Sequence, residues 1–129
     1  MKPPRLLLID DEPALAEFVA NAARMCGYEA ILTSNDKEFQ SEFQKVRPDA
    51  AVLDLGMPGM DGVELLRFLA EQDYSSPVLI ISGFDRRVLE SAFRLGEALG
   101  LNMIGPLEKP VRLEALETLL IELKSTLVQ

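Results

Sequence analysis

The side chains that could do chemistry in this chain follow short apolar runs. They are three carboxylates, a hydroxyl and an ammonium: Asp10, Asp11, Asp54, Ser82 and Lys109. A single aspartate in such a position favours a simple turn cap, so chemistry requires that several of these groups converge. The carboxyl ends of parallel strands meet at one edge of a sheet, and ligands bind at that edge. If the apolar runs are parallel strands, these groups form one site.

The apolar runs have the length and composition of strands. Most are short and lack a polar face, which is typical of strands buried on both sides. Glu29–Thr33 is more polar, and Gly105 and Pro106 interrupt the last run, so both suit sheet edges. Helix-length segments separate the runs, which predicts an α/β fold: a doubly wound, five-stranded parallel sheet with five helices. The predicted strands are Arg5–Ile9, Glu29–Thr33, Ala50–Leu53, Val78–Ile81 and Leu101–Leu107.

Apolar residues at helical spacing predict the buried face of each helix. On the fourth helix, Leu89 and Phe93 form a second stripe that the sequence assigns equally to the core or to a partner surface. Cys26 is predicted to be a buried, inert thiol. Capped helix starts are predicted at Asn35 with Glu38, at Asp61 with Glu64, and at Asp85. The predicted buried stripes are Leu15, Phe18, Val19, Ala22 and Met25; Phe39, Phe43 and Val46; Val88, Ala92, Leu95 and Leu99; and Leu113, Leu116, Leu120, Leu123 and Leu127.

Composition limits the function classes. With 129 residues the chain has the size of one domain, so we predict a single domain over residues 1–129. A net charge of −8 argues against binding nucleic acid or anionic membranes, and no apolar run reaches the ~20 residues of a membrane span. The absence of histidine and the single cysteine argue against His-based triads, common zinc sites and a disulfide framework. We expect a cytoplasmic protein whose chemistry uses carboxylates, lysine and hydroxyls.

Three carboxylates at one rim need a cation. Each pair about 4 Å apart repels by ~1 kcal/mol in water and ~4 kcal/mol at an effective dielectric constant of 20. Their ligand atoms are all oxygens, which suits Mg²⁺, or Mn²⁺, rather than zinc. A carboxylate beside such an ion, an ammonium and a hydroxyl can attack a phosphorus atom and hold the resulting phosphoryl oxygens. The pattern therefore predicts a phosphoacceptor site.

Over nearly its full length, the chain resembles the receiver domain of two-component response regulators. The resemblance is carried by Asp10-Asp11, by Asp54 with the segment Met57–Gly62, by Ser82-Gly83 and by Lys109-Pro110. It implies a flavodoxin-like sheet of order 2-1-3-4-5, a cis Lys109–Pro110 bond, and phosphorylation of Asp54 by a sensor histidine kinase or phosphotransfer protein.

The resemblance also implies a role for each site residue. Asp11, Asp54 and the backbone carbonyl of Gly56 would bind Mg²⁺ directly, and Asp10 would act through water. Ser82 and Lys109 would each contact a phosphoryl oxygen. The chain would then be a phosphorylation-activated switch rather than an enzyme, with at most self-catalysed phosphotransfer and autodephosphorylation.

One departure from the family pattern concerns the output. Pro106 stands where receivers commonly carry an aromatic switch residue, so we expect the signal to pass through Phe84 and the start of the fourth helix. The fourth helix and last strand are the predicted output face, with a homodimer as one use of it. The segment Gly100–Leu107 resembles receivers that precede cyclic-di-GMP phosphodiesterase domains, which suggests that type of downstream effector.

Other interpretations of the acidic rim remain open. A Mg²⁺-dependent phosphatase or other hydrolase could use Asp54 as its nucleophile, although Gly56 occupies the position where a second acid or base is normally needed. The chain could also bind a nucleotide or a flavin. However, its sequence lacks the phosphate-binding loop that such proteins carry, and Asp10-Asp11 would repel a phosphate. The carboxylates could also be turn caps that happen to share one rim.

Overall fold

Strands and helices alternate along the chain. The computed structural model describes residues 2–55, 62–83 and 86–127. Its strands are β1 (Arg5–Ile9), β2 (Glu29–Thr33), β3 (Ala50–Asp54), β4 (Pro77–Ser82) and β5 (Asn102–Glu108). Its helices are α1 (Pro13–Met25), α2 (Asp36–Lys45), α3 (Gly62–Glu71), α4 (Arg86–Ala98) and α5 (Leu113–Leu127). The predicted order of elements is confirmed.

All strand pairs in the sheet are parallel, and the order is β2-β1-β3-β4-β5. The central strands are almost entirely buried, as their continuous apolar sequences require. The edge strands β2 and β5 are partly exposed, and the β4–β5 register shifts where Gly105 and Pro106 lie. The Lys109–Pro110 bond is cis, as the resemblance implied. The predicted doubly wound sheet is therefore confirmed.

The sheet separates two apolar layers. Along β1, Leu7 and Ile9 face a core shared with α2, α3 and α4, whereas Leu6 and Leu8 face a core shared with α1 and α5. This division follows from the two-residue side-chain period of a strand. None of the helices among the described residues is long and apolar enough to cross a membrane.

Local sequence signals explain several helix ends. The Asn35 side chain accepts a hydrogen bond from the Glu38 N–H at 2.9 Å, and the Glu38 carboxylate accepts one from the Ser34 N–H at 2.8 Å. Gly27 follows α1 with φ of +92°, a conformation that favours glycine. The predicted caps Asp61 and Asp85 lie outside the described residues.

Several residues at helix ends depart from the predicted buried stripes. Met25 is 78% exposed because α1 ends there, and Tyr28 covers the core instead, its hydroxyl donating to the Leu120 carbonyl at 2.6 Å. Val46 is exposed because α2 has already ended and its backbone is extended. Leu113, the first residue of α5, is also exposed. Cys26 lies just beyond α1 and is half-buried rather than buried, with burial raising the pKa of its thiol.

The buried face of α4 differs from the predicted one by one residue. Val88 is 54% exposed, whereas Leu89 is 1% exposed and belongs to the core. Phe93, Ala92, Leu95 and Leu99 are half-buried against the same core. The prediction for Val88 is wrong, and the core interpretation holds for Leu89, because neighbouring residues on a helix point about 100° apart.

An aromatic cluster lies between the end of α2 and the loops that precede β3 and β4, opposite the rim that carries the acidic residues. The Arg47 guanidinium is 5.3 Å from the Phe43 ring centroid and 5.8 Å from that of Tyr74, and it also donates to the Gln72 carbonyl. The Tyr74 hydroxyl donates to the Pro48 carbonyl at 3.0 Å. The cluster joins the loop before β3 to the loop before β4.

Candidate functional site

The parallel register places two aspartates side by side at one rim of the sheet. Ile9 of β1 is opposite Leu53 of β3, so Asp10, which follows β1, lies beside Asp54, the last residue of β3. The Asp10 N–H also donates to the Thr33 carbonyl of β2 at 3.1 Å. Backbone pairing therefore fixes both aspartates at the carboxyl ends of adjacent strands.

Three carboxylates converge at this rim. Asp10, Asp11 and Asp54 each offer an oxygen atom, and these atoms all lie within 4.8 Å of one another. Asp10 is 4% exposed and Asp54 is 2% exposed, whereas Asp11 is open to solvent. The structure thus brings together the three carboxylates that the sequence singled out.

The proximity of these carboxylates affects proton binding. Burial raises the pKa of Asp10 to about 7, and a hydrogen bond and charge repulsion from Asp54 act in the same direction. The Glu12 N–H, which donates to Asp10 Oδ1 at 2.9 Å, and the charge of Lys109 lower that pKa without reversing the shift. Around neutral pH, Asp10 is therefore protonated in a fraction of the molecules.

Lys109 brings an ammonium group to the carboxylates. Its Nζ donates to Asp54 Oδ2 at 3.0 Å and lies 3.7 Å from Glu12 Oε2. Burial lowers the pKa of Lys109, but the hydrogen bond to Asp54 and the surrounding negative charges outweigh this effect and leave the pKa raised. The group remains a cation throughout the neutral range.

The end of β4 positions both the hydroxyl and the lysine. Ser82 is buried, pairs in register with Glu108, and accepts a hydrogen bond on its carbonyl from the Lys109 N–H at 2.9 Å. The next residue, Gly83, lies against the lysine stem: a Cβ added there would be 3.4 Å from Lys109 Cδ. Ser82 and Lys109 are therefore held on the rim that carries Asp54.

Sequence reasoning missed two features at this rim. Glu12 contacts Lys109, although its position directly after the acidic pair was a usable signal. A groove of about 560 Å³ also begins beside Lys109, with Leu15, Phe18 and Val111 among its apolar lining residues. Gly56, a metal ligand implied by the family resemblance, and Phe84, an expected participant in the switch, lie outside the described residues.

The donor set fits a hard divalent cation. All three side chains offer carboxylate oxygens, which Mg²⁺ prefers, and their mutual repulsion gives the cluster a need for positive charge beyond that of Lys109. Asp10, Asp11 and Asp54 are the described residues that could hold such an ion.

The response regulator receiver domain model matches residues 6–121, so the chain belongs to this family. Receiver domains of response regulators are phosphorylation-dependent signalling switches, and this function applies to the chain. Nothing in the described site or in the similarities below supports the alternative of a hydrolase.

Known relatives agree with this membership. The chain is 40% identical to the transcriptional regulatory protein TrcR of Mycobacterium tuberculosis over 83 residues, which is 64% of this chain and 32% of that protein. It is 32% identical to the positive alginate biosynthesis regulatory protein of Pseudomonas aeruginosa over 114 residues, or 86% of this chain and 43% of that protein. It thus spans less than half of these curated relatives. A solved response regulator from Colwellia psychrerythraea is 30% identical with a TM-score of 0.77, covering 95% of this chain and 98% of that one.

Proposed function

We propose that Asp54 is the phosphorylated residue and that a sensor histidine kinase or a phosphotransfer protein donates the phosphoryl group. The supporting observation is the ion pair of Lys109 Nζ with the buried Asp54 Oδ2 at 3.0 Å, beside Asp10 and Asp11. Asp54 is therefore the carboxylate that already pairs with a cation, which can stabilise the negative charge that a phosphoryl group adds.

The transfer is a substitution at phosphorus. An Asp54 oxygen forms a bond to phosphorus while the bond from phosphorus to the donor nitrogen breaks. The electron pair of that bond stays on the donor imidazole, which takes up a proton. Autodephosphorylation uses water: its oxygen bonds to phosphorus, the bond to Asp54 breaks, and inorganic phosphate leaves. In this proposal the chain is a signalling switch rather than an enzyme.

The other rim residues stabilise the phosphorylated form. Lys109 would pair with one phosphoryl oxygen, and the Ser82 hydroxyl would donate to another. Asp10, Asp11, Asp54 and the Gly56 carbonyl would hold Mg²⁺, or Mn²⁺, with Asp10 acting through water. When bound, the ion would supply the positive charge that three carboxylates and a phosphoryl group require.

We further propose that the phosphodonor protein docks on the groove formed by Leu15, Phe18 and Val111. A protein that delivers a phosphoryl group to Asp54 must cover the adjacent surface, and Lys109 belongs both to this groove and to the site. Phe18→Ala should therefore slow transfer from a phosphorylated histidine-containing domain at least fivefold and leave transfer from a small phosphodonor unchanged. Equal slowing with both donors would contradict docking at this groove.

The output face in this proposal consists of α4 and β5. Arg86, at the start of α4, lies 3.3 Å from Glu90 and 3.5 Å from Glu108, which is paired in register with Ser82. A shift of Ser82 toward a phosphoryl oxygen can therefore reach α4 through Glu108 and Arg86. This route needs no aromatic residue at the position of Pro106, and Phe84 stays a predicted participant.

We also propose that the chain is one domain over residues 1–129 and is located in the cytoplasm, with a homodimer through α4 and β5 as one readout. Two of the relatives described above are named as regulatory proteins, and the part that matches this chain is less than half of each of them. A downstream effector is therefore part of the proposal, and its cyclic-di-GMP phosphodiesterase type stays a prediction.

Intact mass spectrometry tests the central assignment. Phosphoramidate with Mg²⁺ should add one phosphoryl group to the wild-type chain, and Asp54→Asn should abolish the addition. Asp36→Asn, which changes an exposed aspartate on α2, is the matched control and should be labelled like the wild type. Full labelling of Asp54→Asn would refute the assignment.

A further inference from the structure

Glu12 is a rim residue that the chemistry above leaves without a role. It occupies the position that caps α1, yet its side chain makes no capping hydrogen bond. Its backbone N–H donates to Asp10 Oδ1 at 2.9 Å, while its carboxylate lies 3.7 Å from Lys109 Nζ. The side chain is thus directed to the lysine rather than to its own helix.

Among the residues that the structure describes, Lys109 forms ion pairs with two carboxylates of different character. Asp54 is buried and 3.0 Å from Nζ, whereas Glu12 is exposed and 3.7 Å away. Gly83 lies against the stem of the lysine. We therefore take the ammonium end as the part of the side chain that moves between the two partners. Attraction of the ammonium to the Glu12 carboxylate therefore draws it away from Asp54.

We propose that Glu12 is a positioning residue that competes with Asp54 for Lys109 and thereby reduces the rate and extent of phosphorylation. This inference rests on the proposed role of Asp54. Phosphorylation replaces the single charge of a carboxylate with an acyl phosphate that carries up to about two charges. The ammonium must then move with the phosphoryl oxygens, and its contact with Glu12 opposes that movement.

Three variants separate this contact from a general charge effect. Glu12→Gln removes the charge, and Glu12→Asp keeps the charge on a side chain one methylene shorter. Glu17→Gln removes an exposed carboxylate of α1, the helix that Glu12 precedes. With phosphoramidate and Mg²⁺, both Glu12 variants should be phosphorylated roughly two- to fivefold faster than wild type, the range of an exposed ion pair. Glu17→Gln should match wild type.

A second readout needs neither metal nor phosphodonor. In the metal-free protein, the side-chain amino resonance of Lys109 should move in both Glu12→Gln and Glu12→Asp, because both lose the contact with Nζ. It should stay in place in Glu17→Gln.

Three results would overturn the inference. In the first, Glu12→Asp is phosphorylated at the wild-type rate while Glu12→Gln is phosphorylated faster. Glu12 would then act only by repelling the anionic phosphodonor. In the second, both Glu12 variants keep the wild-type rate. In the third, the Lys109 resonance does not move. Labelling of Asp54→Asn would instead remove the proposed function itself, so the two failures are distinguishable.

Discussion

Replacing Asp10 by asparagine should stabilise the metal-free protein at alkaline pH. The side chain is 4% exposed and shares the rim with two other carboxylates. Asparagine has nearly the same shape, and its Oδ1 can still accept the hydrogen bond from the Glu12 N–H. The substitution therefore removes a buried negative charge and retains the local structure.

The magnitude follows from the pKa of Asp10, which burial and Asp54 raise from 3.8 to about 7 in the folded protein. Between these values the folded state binds more protons than the unfolded state, so stability falls as pH rises and is constant again above about pH 7. Three pKa units correspond to roughly 4 kcal/mol, and solvent screening at the rim reduces this to roughly 2–4 kcal/mol.

Urea unfolding in the presence of EDTA measures this effect. At pH 8, Asp10→Asn should raise the free energy of unfolding by roughly 2–4 kcal/mol, and at pH 4.5 by less than about 1 kcal/mol. The exposed-site control Asp36→Asn should change it by less than about 0.5 kcal/mol at both pH values. An equal gain from Asp10→Asn at both pH values, or a loss at pH 8, would refute the linkage to the charge of Asp10.

Further measurements test the metal, the lysine, the core and the output. Mg²⁺ affinity should rise as pH increases toward about 7 and level off above it, because binding competes with the proton on Asp10; calorimetry showing no pH dependence would contradict this. Lys109→Met should destabilise the metal-free protein at pH 8 by roughly 1–3 kcal/mol, since it takes a cation from buried carboxylates, and unchanged urea unfolding would argue against the pair. Leu89→Ala should cost roughly 2–5 kcal/mol and Val88→Ala less than about 0.5 kcal/mol, and the reverse order would restore the sequence-predicted face of α4. Phosphorylation should alter amide exchange in α4 and β5, whereas a response limited to the rim loops would exclude that output face.

The central strands could be predicted because their apolar runs are too short for a helix and have no polar face. β1, β3 and β4 are continuous apolar segments that end in polar groups, and parallel pairing brings those ends together. The side chains at the site therefore followed from residue type and strand position. The contact of Glu12 with Lys109 did not follow, because it depends on how the turn after β5 faces the start of α1.

The face of α4 could not be predicted because two apolar stripes lie one residue apart. Leu89 and Phe93 share a side with Gly96, which hydropathy patterns do not count as part of a stripe. Gly96 is buried, and Met103 of β5 occupies the space where a Cβ would be. This close approach of helix and strand selects the face that contains Leu89, and only the packed structure shows it.

The position of the aromatic cluster around Arg47 separates residues that stabilise the loops from residues that do chemistry, because the two groups lie on opposite sides of the domain. The side chains that hold the loops before β3 and β4 lie on the side opposite the acidic rim. We therefore expect substitutions there to affect folding and not the charge at Asp54. Substitutions in the aromatic cluster can consequently change the thermal stability of the domain while the chemistry at the acidic rim is preserved. A library built on residues 43–48 and 72–74 would be a starting point for evolving this domain toward higher working temperatures.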